Sequence, residues 1–200
     1  MKYILISLLA LILSVSCNTS SKKQELQENE IKLLALEKGN LITDKTQSVL
    51  ASNLKQVIQR DGISQAIKYC DVKAYPLVDS LKKVYQAEIR RASLRTRNPN
   101  NSPDQAEEKI IQEYQDNIEN GETPSPIAIL DDETVHFYKP IILNAALCLN
   151  CHGVIGQEIK EENYEIIKAL YSNDNATGHK MGDLRGVWSI TFNKDIFKIQ

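Results

Sequence analysis

Gly186-Val187-Trp188-Ser189-Ile190-Thr191-Phe192 sets Trp188, Ile190 and Phe192 against Val187, Ser189 and Thr191. That period of two is what an extended strand imposes when one of its faces meets a core. Two shorter β-type runs precede it, Ile127 to Leu130 and Thr134 to Tyr138, joined as a hairpin around Asp131-Asp132. Further upstream the spacing becomes helical. Val49, Leu50, Leu54, Val57 and Ile58 form one stripe of a long helix from Ile31 to about Arg60, which Asp61-Gly62 stops. Ile63, Ala66, Ile67, Cys70 and Ala74 share a face of a second helix, Ile63 to about Lys73, so Cys70 points inward. After Pro76 the pattern Leu77, Leu81, Val84 predicts a separate helical segment, and AEIRRASLRT an early strand. RTRNPNNSPD is a turn-rich loop. Its Pro103-Asp104 opens a helix through about Glu119, with Ile110, Ile111, Tyr114 and Ile118 inward and Asn120-Gly121 at the end. Helices first and strands mainly later predict an α+β domain built on an antiparallel sheet, with a long N-terminal helix.

Composition narrows the class without choosing a function. The 200 residues carry 24 basic and 26 acidic side chains, a formal charge of −2, so no nucleic-acid surface is implied. At 42% hydrophobic and 25% charged the chain is that of an ordinary globular protein, which excludes a collagen, a disordered tail and a multispanning membrane protein. Its first residues form an address. Lys2, the apolar run Tyr3 to Val15 and Ser16-Cys17 have the order of an export signal over residues 1–16, and the run is shorter than the roughly 20 residues of a spanning helix. Ser-Val-Ser-Cys resembles a bacterial lipobox, with Ser14 where Leu is usual, which makes Cys17 the lipidated first residue of the mature chain. Residues 17–30 (CNTSSKKQELQENE) are too polar to pack and read as a tether, so the domain proper covers residues 31–200.

The chemical centre is Cys148-Leu149-Asn150-Cys151-His152. With four cysteines and three histidines in 200 residues, chance would produce such a CxxCH run about once in a thousand chains of this composition, and the pattern is the attachment motif of c-type haem. Two thiols at this spacing each add to one vinyl group of a haem, and the adjacent imidazole reaches the iron. A structural zinc site would need a fourth ligand from Cys70, His136 or His179. A thioredoxin-like dithiol would need a βαβ setting, which the pattern lacks.

Three stretches together, CxxCH, RRASLRTRNPNNSPDQAEE (Arg90 to Glu108) and ATGHKMGDLRGVWSI (Ala176 to Ile190), resemble the single-haem, PAS-like c-type haem domain family. Formerly a domain of unknown function, it occurs as stand-alone periplasmic proteins and as sensor modules of histidine kinases. The resemblance implies a PAS-like antiparallel sheet flanked by helices, one covalent haem c, and a redox or ligand-sensing role. It also implies an axial cysteine from the helix before the sheet, which falls on Cys70. The chain departs from the family in having His179 where Tyr is usual after the Gly of the late motif.

His179 and Met181 are the competing candidates for the sixth ligand, since imidazole and thioether both bind haem iron, while His136 in its strand pattern reads as a core or edge histidine. Arg95, Arg97 and Arg185 suit haem propionates because guanidinium forks match carboxylates, the alternative being a solvated charged loop. Two functions follow: a membrane-anchored haem module for electron transfer or for redox or gas sensing, or a haem enzyme of peroxidase type with an open distal site. The expected partners are the membrane on the periplasmic side, inner or outer, a redox or signalling protein, and a diatomic gas. With no kinase output before Gln200, signalling is expected to pass through that partner.

Overall fold

Strand β4 (Leu184–Asn193) carries the alternation and occupies the middle of the sheet. The computed structural model describes the backbone of residues 2–197, with side chains from Ser21 onward apart from those of 71–75 and 77. Four antiparallel strands, β1 (Glu88–Ala92), β2 (Ile127–Leu130), β3 (Thr134–Ile142) and β4, lie in the order β1-β4-β3-β2. The hairpin pairs as expected, Ile127 opposite Tyr138 and Leu130 opposite Val135. β3 runs four residues past Tyr138, to Ile142, and its Pro140 sits where β3 has β4 on one side and β2 has already ended, a position that tolerates a missing N–H.

Each sheet face has its own cover. Ile89, Val135, Phe137, Trp188, Ile190 and Phe192 pack against Ile31, Ala35 and Ile42 of helix α1 (Lys2–Asp61) and Val78 of helix α2 (Ile63–Tyr85). Ala92, Tyr138 and Val187 on the other face meet Ile110, Ile111 and Tyr114 of helix α3 (Gln105–Glu119). Val187 is therefore buried as deeply as its alternating partners, because a central strand is covered on both sides. α3 starts from a capping box in which Asp104 accepts from the Glu107 backbone and Glu107 reciprocates, and the buried Glu107 carboxylate also pairs with Arg90 at 2.9 Å.

Helical boundaries differ from expectation at two places. α1 extends upstream of Ile31, since the tether stretch contains no Gly or Pro to stop it; residues 21–30 are all exposed and burial begins at Ile31. α2 continues through Pro76 where two helices were expected. The proline removes one helical hydrogen bond, but packing against α1, β1 and helix α5 (Glu161–Leu170) holds the axis together. Val84, expected to face inward, is 71% exposed. Gly39 sits inside α1 because a Cβ there would overlap the Phe137 ring, so glycine permits the helix to lie close on the sheet. Among the described residues no helix is long and apolar enough to cross a membrane. The export signal and Cys17 lie outside the described side chains, as does Ala74 of the Cys70 stripe.

Candidate functional site

Cys148 and Cys151 lie on the seven-residue helix α4 (Ala146–His152), whose spacing of three sends both thiols to one side. His152 ends it. Its Nδ1 is 2.8 Å from the carbonyl oxygen of Ala176. A carbonyl only accepts, so Nδ1 holds the proton and Nε2 keeps the lone pair. Burial, and after it the charges of Arg185 and Arg97, hold this imidazole's pKa well below its ordinary value, so it stays neutral.

The three stretches singled out in the sequence converge here. Asn175 N–H donates to the carbonyl of Thr96 at 2.8 Å, Gly178 N–H to Gly153 at 2.6 Å and His179 N–H to His152 at 2.8 Å. Arg97 forks onto Asp174 and donates to the Cys151 carbonyl at 2.6 Å. Arg95 reaches the carbonyls of Asn175 and Thr177. Arg185 donates to Ser93 Oγ at 2.7 Å and to the Arg95 carbonyl at 3.0 Å. Burial, and next the charges of Arg97 and Arg91, push Arg185 down to about 10. These arginines are thus engaged with the backbone and with Asp174, Arg95 remaining exposed.

Cys70, Cys148 and Cys151 are free, partly buried thiols. Cys151 packs against the cluster of Ile67, Ile159 and Ile167, which joins α2 to α5. Its thiol is pushed up to about 11, chiefly by burial; Arg97 opposes the shift, and Cys70 and Cys148 add to it. The influence of Cys70 on Cys151 brings Cys70 into the same neighbourhood. Burial raises the Cys70 pKa too, against the pull of Arg91 and Arg97. The sheet holds no parallel pair that would make a thioredoxin-like βαβ unit, and among the described residues no group of three or more Cys, His, Asp and Glu side chains is arranged to hold a metal ion.

The other candidates separate. His179 is buried at the site, its ring 6.3 Å from that of His152, whereas Met181 is 49% exposed. His136 lies between the hydroxyls of Thr134 and Thr191 at 3.0 and 3.2 Å, within the sheet. Arg91 went unnoticed in the sequence. It stands 5.6 Å from the centre of the Trp188 ring and acts electrostatically on both Cys70 and Arg185. The adjacent pair Arg90-Arg91 in a strand was the available signal, because neighbouring strand residues face opposite sides. α5 was missed as well, although Glu161 and Glu162 in its first turn and Lys168 in its last suit the helix dipole.

A family model described as Tll0287-like matches residues 24–193. The chain belongs to the Tll0287-like family. This agrees with the single-haem, PAS-like resemblance carried by the three stretches, and the α+β fold fits it. Among solved structures, the Tll0287-like chain is similar to the crystal structure of the cyanobacterial heme-protein Tll0287, with a TM-score of 0.57 and 22% identity over 78% of this chain and 94% of that one. At that identity the likeness is one of fold. No curated protein sequence matches the chain.

Proposed function

We propose that this chain is a c-type haem protein, with one haem joined by thioether bonds to Cys148 and Cys151, His152 Nε2 on one side of the iron and the Cys70 thiolate on the other. The observation that carries the reading is the His152 tautomer. The Ala176 carbonyl holds the proton on Nδ1, so a neutral, oriented lone pair stands at the end of a helix that presents two free thiols on one side. The cyanobacterial Tll0287, similar in fold, is itself a heme-protein.

A bound haem would supply one-electron iron chemistry and a place for a diatomic gas. The rest is done by the chain. Arg91, Arg95, Arg97 and Arg185 concentrate positive charge around the two cysteines and the histidine, with Asp174 as the internal counter-charge, and so favour two carboxylates nearby. Cys70 would coordinate as thiolate, its proton leaving on binding, and its negative charge favours the ferric state. His152 and Cys70 would together hold ferric iron, which favours sensing or electron transfer over peroxidase chemistry; a diatomic gas would bind where Cys70 released the iron. The protein is exported and held at the periplasmic face of the inner or outer membrane through lipid on Cys17, and its output passes to a redox or signalling protein.

Acid–acetone extraction of protein matured with a haem-attachment system leaves the colour on the polypeptide; haem that extracts freely overturns the reading. Cys70→Ala changes the ferric spectrum and raises the potential. An unchanged low-spin ferric spectrum removes Cys70 as a ligand. Intact mass of the mature chain tests the lipid on Cys17.

A further inference from the structure

We propose that His179, resting on the haem reading above, is a hydrogen-bond donor to a haem propionate from the His152 side and is not an iron ligand. Its backbone sets the side. His179 N–H donates to the His152 carbonyl at 2.8 Å and Gly178 N–H to the Gly153 carbonyl at 2.6 Å, so the two segments run as hydrogen-bonded neighbours. A single N–H···O bond of 2.8 Å holds the two Cα atoms within about 6 Å of each other. Two imidazoles trans on one iron need Cα atoms on the order of 12 Å apart, given metal–nitrogen bonds of about 2 Å and the length of two side chains. His179 therefore stands beside His152, the rings 6.3 Å apart and nearly perpendicular at 83°.

The tautomer then decides what His179 offers. Its Nδ1 is 3.4 Å from Arg95 Nη1. A guanidinium only donates, so Nδ1 accepts and the proton of the neutral ring sits on Nε2. Asp183 does not reverse this: its oxygen is 3.7 Å from Nδ1, beyond hydrogen-bond reach. His179 Nε2 is buried without a hydrogen-bond partner among the described residues, and the whole residue is 2% exposed. An N–H left so costs stability until an acceptor arrives. His152 thus presents a lone pair and His179 an N–H, two complementary demands met by one haem through its iron and a propionate.

The acceptor is best a carboxylate, because Arg95 and Arg185 bathe the ring in positive potential. Of the nearby protein carboxylates, Asp174 is held by Arg97 and Asp183 lies toward Nδ1, so neither meets Nε2. A propionate brings the missing charge.

The test uses the full-length, haem-loaded protein with His179→Asn and His179→Gln. Asparagine retains an acceptor near the Nδ1 position and loses the Nε2 donor, whereas glutamine carries an amide donor out to about the Nε2 position. All three proteins should keep haem through acid–acetone extraction and share one low-spin ferric spectrum. In resonance Raman spectra His179→Asn should shift a propionate-bending mode, and its reduction potential should fall because a less compensated carboxylate favours ferric iron; His179→Gln should restore both toward wild type. In the wild type and in His179→Gln, exchange into deuterated buffer should shift the same mode, and by more than in His179→Asn. An altered axial spectrum in His179→Asn would make His179 a ligand and overturn the proposal. So would a propionate mode insensitive to deuteration, or a mode and potential unchanged by His179→Asn. Haem extracting from the wild type would instead remove the haem reading itself, and the proposal with it.

Discussion

Arg97 grips Asp174 through two hydrogen bonds of 3.1 Å each, and the carboxylate so held is 2% exposed. Asp174 in turn accepts the Ala176 N–H at 3.0 Å, and the Ala176 carbonyl orients His152 at 2.8 Å. A chain of four groups therefore runs from a loop arginine to the imidazole that ends the CxxCH helix.

Arg97→Met should cost about 3–5 kcal/mol, because it leaves a buried carboxylate without its counter-ion. Arg97→Lys keeps the charge and loses the fork, and should recover only part of this. Denaturant midpoints of the three proteins check it, and a loss below about 1 kcal/mol would show the pair to be no more than a surface contact.

Gly39→Ala should destabilise by about 1–3 kcal/mol through overpacking against Phe137. Helix propensity alone predicts the opposite sign, a gain of about 1 kcal/mol. Thermal unfolding of the two proteins separates the explanations directly, and a more stable variant would mean α1 can shift away from the sheet without loss.

Stability should fall above pH 10. Burial raises the Tyr138 hydroxyl to about 12 and the Tyr114 hydroxyl further, against an ordinary value of 10. The unfolded chain then loses these protons first as pH rises, so the stabilisation is complete below pH 10 and is lost progressively through about 12. Tyr114→Phe removes one of the two titrations, along with a hydrogen bond of 3.2 Å to the Tyr138 carbonyl, and should flatten the slope of stability against pH. An equal slope in both proteins would place the alkaline loss elsewhere.

Blocking attachment with Cys148→Ala and Cys151→Ala should lower the melting temperature and increase protease sensitivity, since a group held only by the native state adds its interaction energy to folding. It should also leave His179 Nε2–H permanently unmatched. An unchanged melting curve would show the fold to be self-sufficient.

The elements with strong local signals were legible. The helix start at Pro103-Asp104, the hairpin around Asp131-Asp132 and the alternation Trp188, Ile190, Phe192 follow from propensity and spacing within a few residues. Pro76 misled because its cost is local while the packing that overrides it comes from α1, α5 and β1. Val84 misled because helical spacing places a residue on a face without saying which neighbour covers that face.

The site divides along the same line. CxxCH is contiguous, so the chain alone determines two thiols and an imidazole at an attachment spacing, whatever surrounds them. The tautomers of those imidazoles depend on partners dozens of positions away: Ala176 for His152, Arg95 for His179. Likewise the joining of Arg97 to Asp174 spans 77 positions, and that of β1 to β4 about a hundred. Covalent order dictates which groups are three residues apart. Only folding, by closing long loops and burying charge, decided which proton sits on which nitrogen.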